Sequence, residues 1–113
     1  MQNNKHHPAL IAITCLFLAG CDSKKDEVFQ VARCVMATET VAGASPGDVG
    51  IKTGQAVAQY MSEHDLDMSQ EEVVALGKKA RIDIAGDPEL PMPAQIDRAK
   101  KIMASEPCKK SRP

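Results

Sequence analysis

The stretch Ser69-Gln70-Glu71-Glu72-Val73-Val74-Ala75-Leu76-Gly77-Lys78-Lys79-Ala80-Arg81-Ile82-Asp83-Ile84-Ala85-Gly86 decides the fold class. Ser69 with Glu72 three residues later is a capping box: the hydroxyl accepts from the glutamate amide, and the carboxylate reaches back to the serine amide. Val73, Leu76, Gly77, Ala80 and Ile84 then recur at helical spacing on one face, with Lys78, Lys79 and Arg81 largely outside it. Gly86 stops the run. The segment after it, Asp87-Pro88-Glu89-Leu90-Pro91-Met92-Pro93, predicts a stiff, extended connector. This is an amphipathic helix, and no part of the chain shows the two-residue alternation of a strand.

Toward the C-terminus, Ile96, Ala99 and Met103 predict a helix from Ala94 to Ser105, ended by Pro107 beside Cys108. Toward the N-terminus, Ser45-Pro46-Gly47-Asp48 is a second start signal, with serine as cap, proline first and an acid third. Gly47 and Gly50 weaken it, which sets the regular helix near Ile51, with Ile51, Gly54, Val57 or Ala58, and Met61 as its apolar face. Upstream, Val28, Phe29, Ala32, Val35 and Met36 form a stripe widened by Val31, Cys34 and Val41. That width fits a helix from Glu27 to Gly43-Ala44 packed on more than one neighbour. The expected fold is all-α: a small bundle of four helices of about 12–17 residues, ordinary lengths for globular helices.

Ahead of this domain the chain changes character. Met1 to Pro8 is polar and carries Lys5, and Ala9 to Ala19 is apolar except for Thr14. As a helix the apolar run spans about 16 Å, roughly half of a ~30 Å hydrocarbon core, so it reads as a secretory signal peptide and not as a membrane span. Its end, Leu18-Ala19-Gly20-Cys21, resembles the lipobox of bacterial lipoproteins: a branched aliphatic, two small residues, then cysteine. The resemblance implies a diacylglycerol on the Cys21 thiol, cleavage before Cys21, and acylation of the new amino group with chains such as palmitate. Two or three chains anchor stably where one does not. The alternative is an ordinary signal peptide with a chance cysteine. Asp22 resembles the inner-membrane retention residue of enteric-type lipoproteins, which favours the inner membrane over the outer. The division implied is a signal over 1–20, a lipidated tether over 21–26, a periplasmic helical domain over 27–108 and a basic tail over 109–113.

Discarding residues 1–20 of 113 leaves 93, with Lys5 lost from 14 basic side chains and none from 15 acidic ones, hence 13 against 15 and a net charge of −2. So balanced a charge points to no nucleic-acid partner. A domain this small often needs a covalent staple. Cys15 leaves with the signal and Cys21 is taken by lipid, so Cys34 and Cys108 remain as the expected disulfide. A redox or metal role, or a bridge to a partner, is the competing reading. An internal bridge requires the end of the fourth helix to approach the middle of the first.

Candidate chemistry is sparse. His64-Asp65-Leu66-Asp67-Met68-Ser69 alternates oxygen donors as a calcium loop does, but it lacks the central glycine, and Leu76 stands where a bidentate acid belongs. No metal or cofactor is expected. Ser45, His64 and Asp67 can be written as a triad, but no Gly-x-Ser-x-Gly motif supports them. Glu71 and Glu72 are first-turn acids facing the helix dipole. Met36, Met61 and Met103 fall on core stripes. Met68 and Met92 fall in or beside loops, and Met92 with Leu90 forms an apolar knob on a proline-stiffened segment. Leu90, Met92 and Met68 are therefore candidate partner contacts, the other reading of Leu90 and Met92 being a cap on the bundle end. Lys109, Lys110 and Arg112 form a short basic tail, a frayed terminus or a contact with anionic headgroups.

The reading that follows is a non-enzymatic, lipid-anchored helical adaptor facing the periplasm, whose partners are the membrane, through Cys21, and an envelope protein. In architecture it resembles accessory lipoproteins such as secretion pilotins and plasmid entry-exclusion lipoproteins, a likeness that implies a class and transfers no residue. Two alternatives belong to other classes: an inhibitor or immunity protein blocking a periplasmic enzyme, and an enzyme with a polar pocket around His64. An adaptor presents a groove between helices, whereas an inhibitor presents a protruding loop.

Overall fold

The computed structural model describes residues 23–110, so the lipobox, Cys21, Asp22 and Arg112 lie outside the described residues. Among those described, every regular element is helical: α1 over 23–41, α2 Pro46–Glu63, α3 Gln70–Ala85, α4 Met92–Met103 and α5 Glu106–Lys110. The fold is all-α, with five helical segments where four were expected.

Each boundary has a local cause. Gly43, at φ +85°, ends α1, with Gly43 N–H donating to Thr40 O at 3.1 Å and Ala44 N–H to Glu39 O at 3.0 Å. Those are the two bonds of a Schellman motif. Ser45 caps α2 by accepting from Asp48 N at 3.2 Å, so the helix begins at Pro46, not near Ile51. The cap and the preset φ of proline outweigh the two glycines. Ser69 and Glu72 make both capping-box bonds at 3.1 Å. α4 begins at Met92, not Ala94: Pro93 falls in the first turn, where its missing N–H would have no partner in any case. Residues 23–26, expected as tether, are helical, and Lys25 is held by Glu72 at 3.1 Å. Lys109 and Lys110, expected in a tail, form the last turn of α5.

α1 is the spine of the bundle. Arg33 pairs with Asp83 at 3.1 Å and Lys25 with Glu72, so α1 and α3 run parallel. Lys52 pairs with Glu39 at 3.4 Å and Tyr60 bonds Glu27, so α2 runs antiparallel to α1. α4 packs on α3, and α5 on α4. One core cluster joins Cys34, Ala37, Ile84, Ala99, Ile102 and Cys108; the other joins Val28, Ala32, Val57 and Ala80; Met36 packs against both. Alanine at so many core positions lets helix backbones approach closely.

The expected face of α3 matches the burial, that of α1 matches except that the fully buried Ala37 was not on it and Val35 is only half-buried, and those of α2 and α4 are rotated. On α2 the buried residues are Thr53 and Val57, and Ile51 is 60 % exposed. On α4 they are Gln95, Ala99 and Ile102; Gln95 is buried because its Nε2 donates to Leu90 O at 2.7 Å. Cys34 and Cys108 form the disulfide, with Cα atoms 5.4 Å apart across a separation of 74 residues. Among the described residues, no helix is long and apolar enough to cross a membrane.

Candidate functional site

The end of α1, the α1–α2 turn, the end of α3 and the start of α4 enclose a groove of about 200 Å³. Its floor is Met36 and Ile84; Val49 and Pro46 wall it on the α2 side, and Met92 and Ile96 on the α4 side. Local structure positions each wall. The Schellman turn at Gly43 reverses the chain so that α2 starts beside the end of α1, and the stop at Gly86 sends the connector across to α4. Arg81 and Glu89 pair at 3.4 Å along the rim, an exposed contact of small energetic weight. The groove is mainly apolar, with the Arg81–Glu89 pair at its edge and the buried Gln95 among its lining, the pattern of a contact surface.

The three candidate contact residues separate here. Met92 is 51 % exposed and lines the groove. Leu90 is half-buried: its N–H donates to Ala85 O at 2.7 Å, its carbonyl accepts from Gln95, and its side chain lies over Gly86. Leu90 therefore closes the bundle end, and Met92 faces the opening beside it. Met68 is half-buried, packed with Leu66 against the Val28 cluster. Neither Leu90 nor Met68 joins Met92 in one surface. Missing from the sequence reading were Val49, Pro46 and Ile96; their nearness to Met92 is a long-range fact that no local spacing carries.

A second cleft of about 170 Å³ opens between α2 and α3 over α1. Val28, Ala32 and Met36 form its floor, Thr53 and Val57 one wall, Val73 and Leu76 the other. Met36 belongs to both openings, so they are consecutive along α1.

The residues with acid–base character lie at the opposite end. The Tyr60 hydroxyl donates to Glu27 Oε1, which pushes the phenol up to about 12, because ionisation would set a phenolate against a carboxylate. The His64 ring stacks on Tyr60 with centroids 3.9 Å apart, and its Nδ1 lies 2.9 Å from Tyr60 O. Glu72 is held below the usual carboxylate range, first by the bond from the Ser69 amide and then by Lys25. Ser45 and His64 cap opposite ends of α2, about 28 Å apart at 1.5 Å per residue, so Ser45, His64 and Asp67 form no triad. Among the described residues, no group of three or more His, Cys, Asp or Glu side chains could hold a metal ion.

The chain matches no protein-family model, no curated protein and no solved structure, so the groove is read from its own geometry and chemistry.

Proposed function

We propose that this chain is a lipid-anchored adaptor of the bacterial envelope, tethered through Cys21 and presenting the Met36–Met92 groove to a protein in the periplasm. The observation that carries the reading is the position of the groove along α1. Thr40 in the groove wall lies 17 residues beyond Ser23, about 26 Å along a helix whose first described residues adjoin Leu18-Ala19-Gly20-Cys21. A lipid at one pole and an apolar opening at the other is what a tethered binding module needs. Asp22 favours the inner membrane. The machine served is of the secretion or conjugation-exclusion kind, by architecture alone.

The inhibitor reading asks for a protruding loop, and the 86–91 connector is instead folded back through Leu90. The enzyme reading asks for a polar pocket at His64, whose ring is spent on stacking with Tyr60.

Two measurements test the proposal. Labelled palmitate should enter the wild-type chain and not Cys21→Ala, and the variant should leave the membrane fraction; a variant that still sediments with membranes ends the lipoprotein reading. A photoreactive residue at position 92 should crosslink one envelope protein in the native membrane, and the same residue at exposed Gln55 should not. Equal crosslinking from both positions ends the groove assignment.

A further inference from the structure

Cations from three helices meet on the side of the bundle away from α2. Arg33 of α1 lies about 120° around its helix from both Glu27 and Glu39, the residues that meet α2. It pairs with Asp83 of α3 at 3.1 Å, and Arg98 of α4 donates from Nε to Asp83 O at 2.8 Å. Lys79 Nζ lies 5.1 Å and Arg33 Cζ 5.9 Å from the centroid of the Phe29 ring. Lys101 follows Arg98 one turn on, along the same side of α4. Asp83 is the carboxylate at the centre of this group; among the described residues, Lys79, Arg98 and Lys101 have no carboxylate partner. At its lower edge Lys25 is bound to Glu72, and Asp26 borders Phe29. The face thus sets Lys25, Arg33, Lys79, Arg98 and Lys101 against Asp26, Glu72 and Asp83, in a chain with 15 acids and 14 bases. The α2 side is the reverse: Asp48, Glu63, Asp65 and Asp67 are exposed there, and Lys52, the one cation on α2, is paired with Glu39. Cations gathered without anions repel one another, and a negative surface relieves that cost.

We propose that the face built from Arg33, Lys79, Arg98 and Lys101 rests on the anionic headgroups of the membrane that holds Cys21. The inference rests on the lipoprotein reading and adds which side of the bundle meets the bilayer. The tether argues for a lipid surface. Arg33 stands about 15 Å beyond Ser23 along α1, so a lipid on Cys21 would keep the face within reach of the headgroups at high effective concentration. Charge argues for the side, because α2 and the turn after it would be repelled by the same surface. The form of the cations argues for phosphates: spread over three helices, with two flexible lysines, they match a field of headgroups better than a single carboxylate. Contact on this side leaves the groove clear, since Met92 and Ile96 lie at least about 120° around α4 from Arg98 and Lys101. Each cation beside an anionic surface shifts the contact equilibrium about fivefold.

The test uses the full lipidated chain in vesicles of phosphatidylethanolamine and phosphatidylglycerol that carry a spin label on the headgroup. A fluorescent residue replaces Ala75, exposed one turn before Lys79, or Gln55, exposed on α2. The label at 75 should be quenched severalfold more than the label at 55. That difference should vanish in phosphatidylcholine vesicles, in about 0.5 M salt, and in Lys79→Gln combined with Lys101→Gln. Both lysines are exposed, so an unchanged Tm of the double variant separates loss of contact from loss of the fold. Equal quenching at the two positions, or a difference that survives salt or zwitterionic lipid, overturns the proposal. A photoreactive residue at position 101 that captures a protein and no lipid in native membranes also overturns it, assigning the face to an acidic partner. A chain with Cys21 intact that stays out of the vesicles ends the lipoprotein reading itself, whereas an anchored chain with no preferred side removes this inference alone.

Discussion

Breaking the Cys34–Cys108 bond should unfold this domain more readily than any other single covalent change. The bridge closes a separation of 74 residues. In the chain-entropy treatment, a loop of that length stabilises the folded state by about 4.5 kcal/mol at 25 °C. A domain of this size has a total stability of roughly 5–13 kcal/mol, so the bridge accounts for a third of it or more. The loss should lower the Tm by roughly 20–35 °C, at about 4–8 °C per kcal/mol. Both cysteines are buried in the cluster with Ala37, Ile84, Ala99 and Ile102, so the double alanine variant also loses some packing. Reduction of the native protein isolates the bridge, and Cys34→Ala with Cys108→Ala adds the packing loss. Urea unfolding of the three forms separates the effects: the reduced chain should show a lower midpoint with a larger m-value, because its unfolded state expands further. α5, five residues long, cannot persist alone and should be the first segment to exchange its amides after reduction. A reduced protein within about 1 kcal/mol of the oxidised one would refute the reasoning, because it would leave loop closure without its entropic effect.

The sequence has one tyrosine, so absorbance at 295 nm reads Tyr60 alone; its midpoint should lie near pH 12 and fall toward 10 in Glu27→Gln. Because the folded value is the higher one, the bond contributes stability below pH 10 that disappears as pH rises through about 12, and an unshifted midpoint counts against it. Gly86→Ala should destabilise by about 2 kcal/mol, and Gly43→Ala by about 1, on urea unfolding. Both sit at φ +85°, but only at Gly86 would a Cβ strike a side chain, Leu90 Cγ at 2.8 Å, so equal losses would contradict the assigned clash. Ser69→Ala should cost about 1 kcal/mol by uncapping the Glu72 amide and raise the Glu72 carboxyl only in part, because the Ser69 amide that holds it most strongly remains, readable by NMR. Since the folded value of Glu72 is the lower one, wild-type capping should weaken as acid protonates it, whereas Ser69→Ala should show less of that acid loss.

How much of this was legible in the sequence follows from how many local signals agreed. At α3, cap, periodicity and terminal glycine pointed one way, and the helix lies where they put it. At α2 they disagreed: Ile51 and Met61 are the large apolar residues, yet the buried line runs through Thr53 and Val57 because α1 needs small groups there. Gln95 is invisible as a core residue until Leu90 O is beside it. Pro93 read as a breaker, although a first-turn proline breaks nothing. α5 is below the length at which a helix announces itself. The disulfide was legible because the signal and lipobox reading left one pair. The groove was not, because it collects side chains from residue 36 to residue 96. Of the contact candidates, Met92 alone lies in it.

The proximal pole bears on how such a groove would be held out. Residues 23–26 are helical, so a lipid on Cys21 would be joined to α1 through Asp22 alone, a reach of about 7 Å at full extension. That would leave little slack and would keep the base of the bundle near the headgroups. The same end carries Asp26, Glu27, Glu63, Asp65, Asp67, Glu71 and Glu72, against Lys24, Lys25, Lys109 and Lys110. Lys25 is bound to Glu72, and Lys110 lies beside Asp26 and Glu27. The acids outnumber the cations, so an anionic surface would repel this pole and not draw it down, with an effect confined to about one Debye length, roughly 8 Å. A short lipid link would therefore hold an acidic pole beside the headgroups against local repulsion, an opposition that added salt would weaken. The basic turn of α5, which alone would favour a membrane contact, offsets only part of that repulsion, because Lys110 already lies beside Asp26 and Glu27.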